Sequence, residues 1–237
     1  MIVSHDRRFI FVKTSKTAGT SVEMQLSVFC GPDDIVTPGM ENTRTFGQYP
    51  ECRRPRNLAL PLHRVAYVSL PLPPLIPASK HLRPRMNFYD HMPAFRIRRA
   101  LPKYIWDSYF KFTVVRNPYD RAISQYFWNN RKAAEHTKDA INEYILEKIQ
   151  PHLLTNWYMY ALGDRVLLDH FIRYEELESG LRATLARLGI QEPLALPNAK
   201  SRHRPHGFHY RDVISPAARA HIENIARTEL EHFGYEW

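Results

Sequence analysis

The chain has 237 residues, 44% of them hydrophobic, which suffices for one α/β domain or at most two small ones. Lysine and arginine outnumber aspartate and glutamate by 33 to 24, and the formal charge of +9 favours a polyanionic partner or a highly charged cofactor. The basic residues show neither an aromatic–basic repeat nor zinc-ligand spacing, so we expect no nucleic-acid partner.

Cysteine usage and hydropathy bear on the cellular compartment. Cys30 and Cys52 have no metal-ligand spacing; they could pair, but a reducing compartment is the simpler assumption, and we expect no metal. No run approaches the roughly 20 apolar residues of a transmembrane segment, and the charged stretch 6–8 resembles neither a signal peptide nor an anchor. We therefore expect a cytoplasmic protein, although a trimmed lumenal domain would have the same features.

The first strong element is an apolar run, Phe9–Val12, which predicts a strand buried on both faces. A polar turn over residues 15–21 follows, and a helix begins near Ser21. Backbone N–H groups and the positive end of the helix dipole make such a turn an anion site, to which Lys16 adds a full charge. Hydroxyl donors are supplied by Thr17, Thr20 and Ser21.

Two other interpretations of this turn are open. An ordinary strand-to-helix connection has the same pattern. The turn could also belong to a nucleotide triphosphatase, but this is a poor fit. It does not match the motif G-x-x-x-x-G-K-[ST], because Gly19 is its only glycine and Lys16 precedes it.

An irregular excursion occupies about residues 31–85 and precedes a second group of elements. Its periodicity is weak, with a possible strand at 63–70, several prolines and a basic loop at 80–85. Long ordered loops tend to be functional, so this excursion is a candidate functional segment. Helical spacing follows at 94–100, and Pro102 either breaks this helix or opens the next.

The remaining elements alternate between strands and helices. A strong strand at 109–115 leads into Arg116 and a helix from about 122 to 130. Further elements are predicted as helical segments at 137–149 and 151–162, a strand at 166–172, a helix at 175–188 closed by Gly189, a basic loop at 200–206 and a last helix at 216–233. This alternation predicts a parallel sheet covered on both faces, in a single domain spanning 1–237.

Two cationic residues follow the two strongest predicted strands. Ligands of parallel sheets bind beyond the carboxyl ends of the strands, so Lys16 and Arg116 can converge on one crevice. Ser124 lies on the helix that follows Arg116. A salt bridge to Asp120 is the alternative role of Arg116, but two cationic strand ends favour a ligand with two anionic ends.

These residues carry a resemblance to a known family. The stretch 15–21 (SKTAGTS) resembles the P-K-T-[AG]-G-T-S loop of carbohydrate sulfotransferases related to the heparan sulfate O-sulfotransferases. The stretch 115–127 resembles their V-R-N-P-[YW]-D-R-x-x-S-x-[YF] element. Segments 169–177 and 233–237 also look like the family, and the similarity is colinear from residue 9 to 237 apart from the loosely matched 31–85.

The resemblance implies a P-loop-like three-layer fold, with a central parallel sheet flanked by helices, and the donor 3′-phosphoadenosine-5′-phosphosulfate. In the family the first loop grips the 5′-phosphosulfate, the arginine and serine of the second element hold the 3′-phosphate, and a basic C-terminal loop closes over the nucleotide. The donor-binding residues implied here are Lys13, Ser15, Lys16, Thr17, Ala18, Gly19, Thr20, Ser21, Arg116, Ser124, Lys200 and Arg202. Ser15 and Lys13 depart from the proline and histidine usual in relatives.

A catalytic base is the last expectation. A lone histidine is more often structural than catalytic, and this chain has 12. However, the stretch 90–94 resembles the place where relatives carry a catalytic histidine, and imidazole titrates in the useful range. We therefore predict His91 as base and Lys16 as the group that stabilises the leaving phosphate. The alternative bases are Asp90, His63, His81 and Glu23.

The predicted activity is sulfuryl transfer to a hydroxyl of an acceptor, a carbohydrate or glycoconjugate. We expect acceptor specificity to reside at about 31–85, where the match to the family is weakest. Two alternatives from other classes stay open. One is a P-loop-related kinase or phosphotransferase, which the lysine placement disfavours. The other is a noncatalytic polyanion-binding module, which would not explain why two predicted phosphate-binding segments follow the two strongest strands.

Overall fold

A computed structural model of the protein describes residues 1–37, 49–58, 88–191 and 207–237. Several predictions therefore lie outside the described residues: the strand at 63–70, the basic loops at 80–85 and 200–206 with Lys200 and Arg202, and the alternative bases His63 and His81.

The strands are β1 (Ile2–Ser4), β2 (Phe9–Phe11), β3 (Ile35–Val36), β4 (Phe110–Val115), β5 (Ala161–Leu162), β6 (Arg165–Val166) and β7 (His170–Arg173). Five of them form a sheet in the order β3-β1-β2-β4-β7, and β5 and β6 form a separate hairpin. Strands β2, β4 and β7 are parallel, with Phe11 opposite Phe112 and Phe112 opposite His170.

The helices include α1 (Gly19–Val28), α2 (Ala94–Ala100), α3 (Lys103–Ser108), α4 (Pro118–Asn129), α5 (Lys138–Glu143), α6 (Pro151–Leu154), α7 (Trp157–Tyr160), α8 (Leu177–Arg187), α9 (Tyr210–Val213) and α10 (Pro216–Phe233). A π-helical turn, Tyr144–Lys148, continues α5, and a 3₁₀ turn, Tyr174–Glu176, precedes α8. Among these helices, none is both long and apolar enough to cross a membrane.

The expectation of a parallel sheet is correct for three strands and wrong for the two at one edge. Strand β1 was not predicted, and it pairs antiparallel with both β2 and β3. Only residues 5–8 separate β1 from β2, and so short a turn permits only an antiparallel pair. The predicted strand at 166–172 is also divided, because Val166 pairs with Ala161 in the β5–β6 hairpin and β7 begins at His170.

The sheet is covered on both faces, which makes the described part of the fold three-layered. Successive residues of β2 point to opposite faces. Phe9 and Phe11 pack in the core that contains Val22 and Leu26 of α1 and several residues of α8. Ile10 lies in the opposite core, with residues of α2 and α3. A third core joins α4 to α10.

Candidate active site

The 15–21 turn connects β2 to α1 with two residues in the left-handed region, Lys16 (φ 61°) and Ala18 (φ 58°). Gly19 is required there, because a Cβ would lie 2.8 Å from Lys13 Cγ and 3.2 Å from the Thr14 carbonyl oxygen. The first backbone hydrogen bond of α1 runs from the Val22 N–H to the Ala18 carbonyl, at 3.1 Å. The N–H groups of Gly19 and the two residues after it therefore have no acceptor within the helix.

Two threonine hydroxyls fasten this turn to the sheet. The buried Thr17 hydroxyl donates within the turn to Thr14, whose own hydroxyl donates to the Val114 carbonyl 2.6 Å away. The Thr17 hydroxyl, predicted as a donor to a ligand, is therefore already bonded within the turn. Thr20 and Ser21 lie on the first turn of α1 and are also buried.

Asn156, which no local sequence pattern indicates, holds the start of the turn. The Ser15 N–H donates to Asn156 Oδ1 at 3.2 Å, and Asn156 Nδ2 donates to the Ser15 carbonyl at 3.0 Å. A proline at position 15 would have no N–H for the first bond. Because 141 residues separate the two partners, no local pattern could have indicated this contact.

The two cationic strand ends, Lys16 after β2 and Arg116 after β4, are in contact. Arg116 Nη1 donates to the Lys16 carbonyl at 2.9 Å, which links the end of β4 to the turn after β2. The same guanidinium binds Asp120 through Nε (2.7 Å) and Nη2 (2.6 Å), and lies 3.9 Å from the centre of the Tyr174 ring. The salt bridge considered as an alternative therefore exists together with the convergence. Both acidic and aromatic partners hold the arginine in place.

Helix α4 presents three residues at four-residue spacing toward one side: Asp120, Ser124 and Trp128. Asp120 binds Arg116, and the Trp128 ring carries the Lys16 ammonium 4.6 Å from its centre. Ser124, half-buried, lies one turn from each. Ser124 therefore shares a helix face with Asp120, the partner of Arg116, and Trp128, the partner of Lys16.

Lys13 is buried in an ionic cluster below the turn. Its ammonium lies 2.8 Å from Glu23 and 2.9 Å from Asp90. Glu23 also accepts from the α-amino group of Met1. Burial would raise the pKa of Glu23, but this amino group and the Lys13 ammonium hold it at about 2. Glu23 is therefore ionised but enclosed, a poor position for a base that must meet an acceptor.

His91 lies at the carboxyl end of β2, with a left-handed backbone (φ 53°). Its Nδ1 lies 3.1 Å from the Lys13 carbonyl, which can only accept, so Nδ1 carries the proton and Nε2 carries the lone pair. Nε2 is 3.6 Å from Asp90, and the side chain is 41% exposed. The buried part of the ring lowers the pKa of His91, Asp90 opposes this shift and Lys13 adds to it, and a lowered pKa favours the neutral ring.

The structure therefore brings the turn, Arg116 and His91 to one edge of the sheet. In the described ranges, no cluster of three or more histidine, cysteine, aspartate or glutamate side chains is suited to hold a metal ion. The arrangement offers helix-terminal N–H groups, two cations and a neutral imidazole, which together can bind phosphate groups and accept a proton.

Comparison with known proteins identifies a family. An uncharacterized protein of Archaeoglobus fulgidus is 25% identical over 113 residues, which cover 44% of this chain and 87% of that protein. No solved structure matches. The sequence model of the sulfotransferase family matches residues 1–236, nearly the whole chain. The protein belongs to the sulfotransferase family.

Proposed function

We propose that the protein transfers the sulfuryl group of 3′-phosphoadenosine-5′-phosphosulfate to a hydroxyl of a carbohydrate acceptor. Family membership supports sulfuryl transfer in general. The observation that carries the finer proposal is the 2.9 Å hydrogen bond from Arg116 to the Lys16 carbonyl, because it joins two cationic strand ends in one crevice. A nucleotide with phosphate groups at both its 5′ and 3′ positions fits two such cationic strand ends.

The 15–21 turn would hold the 5′ end of the donor as a P-loop-like cradle. The N–H groups of Gly19, Thr20 and Ser21 and the dipole of α1 favour a phosphate group there. Gly19 supports this role because its missing Cβ lets the backbone approach the strand closely. Lys16 supplies the charge that the turn amides lack.

Arg116 and Ser124 would hold the 3′-phosphate. Asp120 and Tyr174 fix the guanidinium plane, so a bound phosphate group meets a pre-oriented donor. Arg116 is buried to all but 7% of its surface, and a charge in such a place is costly unless its partners compensate it. A nucleotide without a 3′-phosphate would lose these contacts.

The transfer step is an in-line displacement. The acceptor oxygen forms a bond to sulfur while the bond from sulfur to the phosphate oxygen breaks. The acceptor proton passes to His91 Nε2, and the charge that develops on the leaving phosphate faces Lys16 and the turn amides. The Lys13 carbonyl keeps the proton on Nδ1, and this leaves Nε2 as the acceptor.

The direct test supplies the protein with donor carrying ³⁵S and a panel of sugars and small alcohols. We expect labelled sulfate ester on at least one sugar, together with equimolar adenosine 3′,5′-bisphosphate. Transfer to simple alcohols but to none of the sugars would contradict the carbohydrate acceptor. Phosphate transfer from ATP with magnesium, and no transfer of label, would favour the kinase alternative.

A further inference from the structure

We propose that Asn156 is a positioning residue of the 15–21 turn, and that the buried pair of Arg121 and Glu229 holds Asn156 in place. The inference rests on the proposed function, which assigns the 5′ end of the donor to this turn. It adds a residue that neither the family resemblance nor the sequence indicated.

The Asn156 side-chain amide pairs with the backbone of Ser15 as a neighbouring β-strand would. It accepts from the Ser15 N–H and donates to the Ser15 carbonyl, so both backbone groups of one residue are fixed by one amide. Asn156 is 1% exposed, and water cannot easily replace these bonds. The next residue, Lys16, has a left-handed backbone, which a lysine adopts at a cost. The clamp on Ser15 opposes relaxation of that conformation.

Glu229 of α10 holds Asn156 in turn. Its carboxylate accepts from the Asn156 N–H at 3.0 Å and from the hydroxyls of Thr155 (3.0 Å) and Tyr160 (2.8 Å). Arg121 binds the same carboxylate with both terminal nitrogens, at 2.8 and 2.7 Å, and both partners are fully buried. Burial would raise the pKa of Glu229, but Arg121 holds it below its usual value, so the carboxylate stays a full acceptor.

This chain of contacts gives Arg121 a role different from that of Arg116. Both belong to the stretch 115–127 that resembles the family element. Arg116 faces Lys16 across the crevice, whereas Arg121 faces the interior and reaches the turn only through Glu229 and Asn156. The stretch therefore acts on the turn in two ways, directly through Arg116 and through the protein interior by way of Arg121.

The test compares two ligands in Asn156→Ala. Loss of two hydrogen bonds that orient the turn should weaken binding of adenosine 3′,5′-bisphosphate about tenfold or more. Binding of adenosine 3′-monophosphate, which has no 5′-phosphate, should stay unchanged. A merely structural role would weaken both ligands alike or neither, and either result would overturn the proposal.

Asn142→Ala is the matched control. The Asn142 amide also bridges backbone groups, donating to the Val213 carbonyl at 2.9 Å and accepting from the Ser215 N–H at 2.7 Å, away from the turn. It should lose stability and keep its preference for the bisphosphate. If Asn156→Ala does not fold, Asn156→Ser allows the same comparison, since its hydroxyl can bond one freed backbone group directly or through water. A wild-type protein that does not bind the bisphosphate would contradict the proposed function itself, and this inference with it.

Discussion

At the scale of single residues, the site depends on which cations face the crevice and which are neutralised. Lys13 is enclosed between Glu23 and Asp90, so its charge is balanced by two carboxylates. Lys16 lies over the Trp128 ring at the end of the same strand. The sequence analysis predicted both lysines beside the site, and the structure gives them different surroundings.

Lys16→Ala tests the role of the turn in the reaction. If the ammonium faces charge that grows during transfer, turnover should fall on the order of a hundredfold. Affinity for adenosine 3′,5′-bisphosphate should fall less. Steady-state rates and a product titration give the two numbers. Arg131→Ala is the control, because it removes the other cation over the Trp128 ring, 5.0 Å from its centre, and should leave turnover near wild type. A Lys16→Ala enzyme of normal turnover would reduce the turn to a connection.

His91→Ala tests the base. Turnover should fall by roughly a hundred- to ten-thousandfold, the usual range for a positioned acid–base group. The bisphosphate should still raise the melting temperature, because the imidazole meets the acceptor hydroxyl and not the phosphates. Added imidazole should restore part of the rate. The exposed His152, replaced by alanine, should have no effect. Full activity in His91→Ala would transfer the role to Asp90 or another of the alternative bases.

The pH profile of the wild-type enzyme tests the same assignment without a mutation. Burial lowers the pKa of His91, so the ring stays neutral to a lower pH than an ordinary histidine. As pH falls through this lowered pKa, the ring gains a proton, can no longer act as base, and the rate declines. We expect the half-maximal point of the acid limb below 6.5, the usual histidine value. A midpoint well above 6.5 would contradict this.

At the scale of helices and strands, the bounds of an element were predicted correctly where local sequence signals mark both of its ends. Helix α10 runs over Pro216–Phe233 as predicted, because Ser215 caps its first turn and Gly234 ends it in the left-handed region. Helix α4 begins at Pro118 rather than near 122, since Asn117 accepts from the Tyr119 N–H and proline suits the first helical position. Strand β1 was missed because three residues beside a charged turn carry little periodicity.

Helices α4 and α10 are joined by the Arg121–Glu229 pair, and Glu229→Gln tests it. Replacing the carboxylate leaves a buried arginine without its counter-charge, so the free energy of unfolding should fall by about 3–5 kcal/mol. Denaturant titration measures the change. Glu178→Gln breaks the exposed pair with Arg182 and should change stability by about 1 kcal/mol or less. Equal losses in the two variants would show that burial adds nothing to the first pair.

At the scale of the whole molecule, the sequence predicted the parts of the site that follow directly from strands. The turn after β2 and Arg116 after β4 each have a local pattern, and parallel strands bring them to one edge. Asn156 and Glu229 had no such pattern, because their contacts join distant segments through the interior. Tyr174 and Trp128 are aromatic residues whose roles depend on cations far away in the chain.

Lys16 and Arg116 are proposed to form one site for a nucleotide with phosphate groups at both ends. The most direct measurement is the melting temperature with adenosine 3′,5′-bisphosphate and with AMP, in the wild type and two variants. A ligand at a hundredfold excess over its dissociation constant stabilises by about 2.7 kcal/mol. We expect a clear increase with the bisphosphate and a much smaller one with AMP.

Arg116→Lys keeps the charge but loses the planar fork, so it should remove most of the difference between the two nucleotides. Arg219→Lys is the control, because Arg219 pairs with Glu223 four residues later and lies 4.7 Å from the centre of the Trp237 ring, much as Arg116 pairs with Asp120 and Tyr174. That variant should retain the full difference. Equal shifts from the bisphosphate and AMP in the wild type would contradict a single site for both phosphate groups.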